Sequence, residues 1–150
     1  MIRISRKCEY ALRAVFELAV RNGERPVKIH HIALSQHIPH RFLEVILNDL
    51  RCGGLVQSRR GNMGGYLLAK PAAALTIRDV VEQIQGGISA SPPDGEKADL
   101  RKCCYGDDAF KEFWGNVSKT VSGICENTNF AELVANERRI KAGAVADYVI

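Results

Sequence analysis

The hydrophobic period of this sequence changes within its first half, directly after Gly53 and Gly54. Up to these glycines, apolar residues recur about every 3.6 residues, which is typical of amphipathic α-helices. After them, the stretches 56–59 and 66–69 alternate with a period of 2, and the glycine-rich loop 60–65 separates them. The change predicts several helices followed by a β-hairpin with a tight, glycine-containing tip.

Three helices are predicted before the hairpin. The first covers 7–21 and ends near Gly23, since glycine suits the left-handed end of a helix. A short second helix follows Pro26. A third begins at Pro39, because proline fits the first position of a helix, where its missing N–H has no partner. The third helix buries one apolar stripe and leaves an opposite face that no core requires, formed by Arg41, Glu44, Val45 and Asn48.

Positive charge is concentrated in the first half of the chain. The 150 residues carry a net charge of +4, from 21 Lys and Arg against 17 Asp and Glu. Residues 1–70 hold 12 Lys and Arg and 5 Asp and Glu, a net +7, whereas 71–150 have a net −3. This asymmetry indicates an N-terminal surface that meets a polyanion. No run approaches the roughly 18 apolar residues of a membrane span, and the charged first ten residues exclude a secretory signal, so we expect a cytoplasmic protein.

Three helices followed by a basic hairpin are the pattern of a winged helix-turn-helix. A helix fits the major groove of DNA, where its exposed side chains read base edges, and a basic wing lies close to the backbone or minor groove. Arg59 and Arg60, beside the loop glycines, therefore favour contact with double-stranded DNA over a solvated loop. The expected fold class is mainly α with a small β-hairpin wing: a winged helix-turn-helix with a long C-terminal dimerisation helix.

The second half predicts further helices. Thr76 and Asp79 have the T-x-x-D spacing of a capping box and start a helix that ends before Gly86. The stretch 87–106, rich in Gly, Ser and Pro, is expected to be a linker or sensor loop. A long helix over 107–125 carries an apolar stripe too aromatic to be left in water, which predicts a homodimer. The stripe consists of Phe110, Phe113, Trp114, Val117 and Val121.

A last helix is predicted to start at a capping box of Asn129 and Glu132 and to end at Ile140. The expected division of the chain has four parts. They are the winged helix-turn-helix domain over 1–86, the linker or sensor loop over 87–106, the dimerisation helices over 107–141 and a flexible tail over 142–150.

Several motifs resemble those of one family of bacterial regulators. They are the run at 4–7, the Phe-Leu-Glu run at 42–44, the stretch 54–56, Arg60-Gly61 and the stretch 64–71. This set, continued through the Trp114 helix to Glu132-Leu133, is similar to the Rrf2 family of dimeric winged-helix repressors. That family includes iron–sulfur cluster sensors, a nitric-oxide sensor and a repressor of cysteine metabolism. The resemblance implies a DNA-binding transcription regulator that is not an enzyme.

The resemblance also implies which residues contact DNA. The matching positions are Arg3, Ser5 and Lys7 at the N-terminus, Arg41, Phe42 and Glu44 on the recognition helix, and Arg60 and Gly61 in the wing, with Arg59 beside them. Val45 departs from the glutamine that cluster-sensing members often have there. Because valine cannot donate to a base but can contact a thymine methyl group, we expect an operator that differs from those of such members.

The five cysteines form no regular framework, so structural disulfides are not expected. Cluster-binding members of the family have three cysteines in the loop before the long helix, whereas this sequence has only Cys103 and Cys104 there. A 2Fe–2S cluster needs four ligands, and adjacent cysteines rarely bind one iron. We therefore expect no metal and no cofactor. The alternative is a regulator that senses redox state or iron–sulfur clusters through Cys103 and Cys104.

The last four residues of the chain suggest a protein partner. They are similar to the C-terminal tail of plant-type serine acetyltransferases, which ends in isoleucine and inserts into the active site of cysteine synthase. With the cysteine-metabolism branch of the family, this likeness implies cysteine synthase as a partner, bound through Tyr148, Val149 and Ile150. A solvated tail without a partner is the alternative. A thiol enzyme is disfavoured because all four histidines lie in the DNA-binding half, away from Cys103 and Cys104.

Overall fold

The fold was analysed in a computed structural model that describes residues 3–21, 25–88 and 105–147. Helices predominate, and one two-stranded hairpin lies between the third and fourth of them. The elements in chain order are α1 (Arg6–Val20), α2 (Ile29–Gln36), α3 (His40–Cys52), β1 (Val56–Arg59), β2 (Gly65–Leu68), a 3₁₀ turn (Ala72–Ala74), α4 (Ile77–Gln85), α5 (Asp107–Asn127) and α6 (Phe130–Asp147). This order confirms the predicted fold class. Within the described residues, no helix is both long and apolar enough to cross a membrane.

The wing is anchored to the segment that precedes α2. Strands β1 and β2 are antiparallel, with Val56 opposite Leu68 and Arg59 opposite Gly65. Val27 extends this sheet, because the Val27 N–H donates to the carbonyl of Tyr66 and the Tyr66 N–H donates to the carbonyl of Val27, both at 2.8 Å. The hairpin is therefore fixed on one side to the α1–α2 connection.

One apolar core unites the helices of the winged unit. The stripe predicted on α3 is fully buried, and so is the side of α1 that faces it. Burial of each large aliphatic side chain contributes about 1.5–3 kcal/mol, so these stripes hold α1 and α3 together. The core residues on these two helices include Ala11, Val15, Leu18, Leu43, Ile46, Leu47 and Leu50.

The start of α4 is the predicted capping box. The Thr76 hydroxyl accepts from the Asp79 N–H at 3.2 Å, and the Thr76 N–H donates to the Asp79 carboxylate at 3.0 Å. Helix α4 ends at Gln85, and its C-cap is Gly86, whose φ of 78° is the left-handed conformation that favours glycine.

The first turn of α6 belongs to the core of the winged unit, although the sequence groups it with the dimerisation helices. Phe130 is fully buried in that core. The Phe130 N–H donates to the carbonyl of Leu75, and the Ile77 N–H donates to the carbonyl of Thr128, both at 3.0 Å. These bonds join the two halves of the chain.

Some predicted element ends are wrong. Pro39 is the residue before α3 rather than its first residue, and α5 continues to Asn127 rather than ending at Cys125. The largest difference is α6, which continues to Asp147 instead of giving way at 142 to the expected flexible tail. Alanine has the highest helix propensity, and the alanines from 142 to 146 extend the helix although they carry no apolar stripe that pattern analysis can detect.

Candidate nucleic-acid interface

Helix α3 has one face that the core does not use. Its side chains Arg41, Phe42, Glu44 and Val45 are exposed, with exposed fractions of 59% for Phe42 and 54% for Val45. The Phe42 ring is packed edge-on against Tyr10 of α1, with 6.4 Å between the ring centroids. Four exposed residues of mixed chemistry on one rigid helix face suit the reading of base edges.

A buried carboxylate on α1 holds α2, the helix that precedes α3. Glu17 of α1 is only 5% exposed, yet it accepts hydrogen bonds from Ser35 Oγ at 2.7 Å, Gln36 Nε2 at 2.9 Å and Arg21 Nε at 2.8 Å. Burial raises the pKa of Glu17, but the hydrogen bonds from Ser35, Gln36 and Arg21 outweigh burial, so the net pKa is lowered. The carboxylate therefore stays charged at neutral pH and ties the end of α2 to α1.

The N-terminal segment lies beside α3 and α4. Ser5 is the N-cap of α1, and its hydroxyl accepts from the Cys8 N–H at 3.1 Å. Lys7 forms an ion pair of 2.6 Å with Asp49 of α3. Gln85 of α4 binds both the carbonyl of Arg3 and the N–H of Ser5, each at 3.1 Å. The backbone of this segment is held in place, and the side chains of Arg3, Ser5 and Lys7 are exposed.

The wing tip is a tight turn built on glycines. Arg59 ends β1, and the exposed residues Arg60 and Gly61 follow it. The Gly64 N–H donates to the carbonyl of Gly61 at 3.0 Å. A Cβ on Gly64 would lie 2.3 Å from the carbonyl oxygen of Arg59, so no larger residue fits without moving the turn. The arginines are therefore presented by a constrained loop.

Basic residues that the sequence analysis did not single out face the wing. Arg25 and Lys28 in the α1–α2 connection, with His31 of α2, line a cleft whose other wall contains Arg59 and Arg60. The bridge between Val27 and Tyr66 brings these walls together, and no local pattern in the sequence predicts that long-range pair. Pro26 indicates an extended segment, which is the only local signal present.

Helix α5 carries the predicted aromatic stripe, and none of its residues is fully buried. Phe110 is 66% exposed and Phe113 is 55% exposed. The Phe113 and Trp114 rings pack edge-on, with 5.1 Å between their centroids. Trp114, Val117 and Val121 are half-buried.

The described cysteines lie on three different helices. Cys8 is buried in α1, Cys125 is half-buried near the end of α5, and Cys52 is exposed at the end of α3. Burial, with a smaller contribution from the charge of Cys125, raises the pKa of the Cys8 thiol to about 11, and burial also raises the pKa of Cys125. Cys103, Cys104, Tyr148, Val149 and Ile150 lie outside the described residues.

An exposed helix face of mixed chemistry, a bound basic N-terminal segment and a basic wing define a winged helix-turn-helix protein of the DNA-binding class. A family model described as an iron-dependent transcriptional regulator, Rrf2, matches residues 4–136. The chain therefore belongs to the Rrf2 family of transcriptional regulators, which confirms the resemblance drawn from its motifs.

Relatives of known name agree with this assignment. The HTH-type transcriptional regulator IscR of Serratia proteamaculans is 33% identical over 137 residues, which cover 91% of this chain and 81% of that protein. The structure of CymR, the global cysteine regulator of B. subtilis, matches with a TM-score of 0.76 at 29% identity, over 91% of this chain and 98% of that one. The structure of T. potens IscR matches with a TM-score of 0.71 at 27% identity, over 90% and 88%.

The family is described as iron-dependent, so the described side chains are compared with the ligands that iron requires. The described residues contain no group of three or more His, Cys, Asp or Glu side chains that could hold a metal ion. The thiolate is the form that binds metal, and the raised pKa values of Cys8 and Cys125 favour the protonated thiol. The described part of the chain therefore does not provide the ligand set of an iron–sulfur cluster.

Proposed function

We propose that this regulator is a homodimeric, sequence-specific repressor that binds double-stranded DNA in the cytoplasm and has no enzymatic activity. The observation that carries the proposal is the exposed face of α3, which the core does not use and to which the basic N-terminal segment is paired through Lys7 and Asp49. The basic wing follows α3 directly along the chain. This arrangement offers side chains to base edges and cations to the DNA backbone at the same time.

The residues divide by the kind of contact that each can make. Arg41 can bind guanine through two hydrogen bonds, Glu44 can accept from the amino group of cytosine, and Phe42 and Val45 can contact thymine methyl groups. Arginines of the wing reach the backbone or minor groove, and the N-terminal residues fix the register on the phosphates. The proposed contacts are Arg3, Ser5, Lys7, Arg41, Phe42, Glu44, Arg59, Arg60 and Gly61.

Substitution of Arg60 tests this proposal. We expect Arg60→Ala to weaken binding to the DNA upstream of the protein's own gene by about 1–3 kcal/mol, because one charged contact in or near a groove is lost. Gel-shift titration measures the affinity, and gel filtration checks that the assembly is unchanged. Arg139→Ala, on α6, serves as the matched control. An unchanged affinity of the Arg60 variant would remove the wing from the mechanism.

We also propose that α5 mediates dimerisation. Phe110 and Phe113 expose large apolar surfaces in the single chain. In a symmetric dimer, the same surface of a second α5 helix would pack against them. The proposed dimer contact comprises Phe110, Phe113, Trp114, Val117 and Val121.

A finer proposal is that the regulator controls cysteine metabolism and binds cysteine synthase through Tyr148, Val149 and Ile150. Two findings support it: the structural match to CymR, a global cysteine regulator, and the similarity of the last four residues to a tail that inserts into cysteine synthase. The carboxylate of Ile150 would take the place of a substrate carboxylate, and the isoleucine side chain would fill the apolar pocket beside it.

Calorimetric titration of cysteine synthase from the same organism tests the tail. We expect micromolar binding by the intact chain, since a few residues bury little area and must be ordered, and loss of binding when Ile150 is deleted. Operator affinity serves as the control and should not change on deletion. Equal binding by both proteins, or binding by neither, contradicts the proposal.

A second candidate function is redox or iron–sulfur sensing through Cys103 and Cys104. It is favoured by the description of the family as iron-dependent and by the match to IscR. The two candidate functions share the same DNA-binding half. They differ in what controls DNA binding, which is cysteine synthase in the first and redox state or an iron–sulfur cluster in the second.

A further inference from the structure

A basic cleft lies between the wing tip and the start of α2. It encloses about 950 Å³ and is open to solvent along one side. One wall is the wing turn, and the other is the segment 25–28 with the first turn of α2. The basic residues that line it are Arg21, Arg25, Lys28, His31, Arg59 and Arg60.

Most charges of this cleft have no counter-charge among the described residues. No described aspartate or glutamate lines it. Arg21 is bound to Glu17, but no ion pair within the described residues joins Arg25, Lys28, Arg59 or Arg60 to a carboxylate. Like charges held together without counter-charges repel one another, so this cleft is arranged for an anion from outside the chain.

Some basic residues elsewhere on the surface are neutralised within the chain. Arg13 pairs with Glu9, Arg78 pairs with Glu82, and Lys70 pairs with Asp79. Arg25, Lys28, Arg59 and Arg60 have no such ion pair among the described residues, although they lie around one cleft.

The start of α2 also departs from what helix stability requires. An N-cap is best filled by Ser, Thr, Asp or Asn, and the positive end of the helix dipole disfavours cations there. In α2 the N-cap is Lys28, with no side-chain cap, and two histidines follow in the first turn. Such a conflict with local preference is expected where a residue serves binding rather than folding.

The two walls are held at a fixed separation. The paired hydrogen bonds of 2.8 Å between Val27 and Tyr66 join them at their base. A Cβ at Gly65 would lie 2.4 Å from the Val27 carbonyl oxygen, so the close approach depends on glycine. A preformed site loses little conformational entropy when it binds its ligand.

We infer that this cleft is a clamp for the sugar–phosphate backbone of double-stranded DNA, with Arg25 and Lys28 as the cations on the wall opposite the wing. The inference rests on the proposed DNA-binding function and adds a contact to it. A single phosphate group fills only a small part of this volume, whereas a backbone strand that passes the wing can run along it. Contacts to phosphates carry no sequence information, so the clamp contributes affinity and register but no base preference.

The test compares Arg25→Gln and Lys28→Gln with the control Arg139→Gln, in the full chain. Binding to the upstream DNA and to an unrelated duplex is measured by fluorescence anisotropy between 50 and 300 mM KCl, concentrations chosen around the range in which phosphate contacts dominate the salt dependence, about 0.05–0.2 M. Each cleft variant should bind both duplexes about five- to tenfold more weakly near 0.1 M salt, and the slope of log affinity against log salt should fall by about one. The control should change neither quantity. Because Arg25 and Lys28 are exposed, the melting temperature should stay the same.

Different failures have different meanings. If the intact protein prefers its upstream DNA but both cleft variants keep its affinity and salt slope, the clamp is wrong and the proposed function stands. If a cleft variant weakens binding to the upstream DNA alone, the residue reads bases, and the backbone assignment is wrong. If the intact protein does not bind DNA, the proposed function fails and the clamp fails with it.

Discussion

The carboxylate of Glu17 accepts hydrogen bonds from three side chains, two of which lie on α2. Its removal would leave these three donors without their charged partner. We expect Glu17→Gln to lower the free energy of unfolding by about 2 kcal/mol, because hydrogen bonds to a charged group are stronger than those to a neutral one. Urea titration followed by circular dichroism measures the loss. Glu9→Gln, on the exposed side of α1, is the control and should have little effect.

The same carboxylate gives a defined dependence on pH. Because its pKa is lowered in the folded protein, its stabilising contribution is present above the ordinary value of 4.5 and is lost as the pH falls through the lowered pKa. The stability difference between the wild type and Glu17→Gln should therefore be full at pH 7 and shrink below pH 4.5. A difference that is constant down to pH 3, which is about one unit below the ordinary carboxyl range, would contradict this.

At the scale of the element, the exposed stripe of α5 predicts the oligomeric state. Light scattering should give about twice the chain mass of 16.6 kDa, since burial of each phenylalanine contributes about 1.5–3 kcal/mol. Substitution of Phe110 and Phe113 by serine should raise the dissociation constant of the dimer more than tenfold. Ile140→Ser, a comparably exposed apolar position on α6, should not. A stable monomer at micromolar concentration would exclude a dimer built on α5.

Elements with local signals were predicted well, and those that depend on distant pairs were not. The capping box at Thr76 and the buried stripe of α3 each depend on residues that are three or four positions apart, so the spacing of those residues predicts both features. Arg25 and Lys28 face the wing only because Val27 pairs with Tyr66, a contact between segments that are far apart in the chain. Glu17 likewise has partners 18 and 19 residues away, and nothing local marks a buried carboxylate.

At the scale of the whole molecule, the choice between the two candidate functions depends on iron. We expect protein purified without oxygen to be colourless and free of stoichiometric iron, because the sequence between α4 and α5 has only Cys103 and Cys104 to offer a cluster. Visible absorption and iron analysis test this. The same protein incubated with ferrous iron and sulfide controls for loss of a cluster during purification. A brown protein with two irons per chain would favour the iron–sulfur sensor instead.

The joint between α5 and α6 has a mechanical consequence. Helix α5 has 21 residues and is therefore about 30 Å long. It is held near its C-terminal end, where Arg78 binds Glu126 at 2.9 Å and Phe130 is locked into the core. In the proposed dimer, this joint would link the α5 contact of each chain to its own winged unit. The angle at the joint would then set the distance between the two α3 helices, which must match successive major grooves about 34 Å apart. A substitution at the joint would therefore change the fit to an operator without altering any side chain that touches DNA.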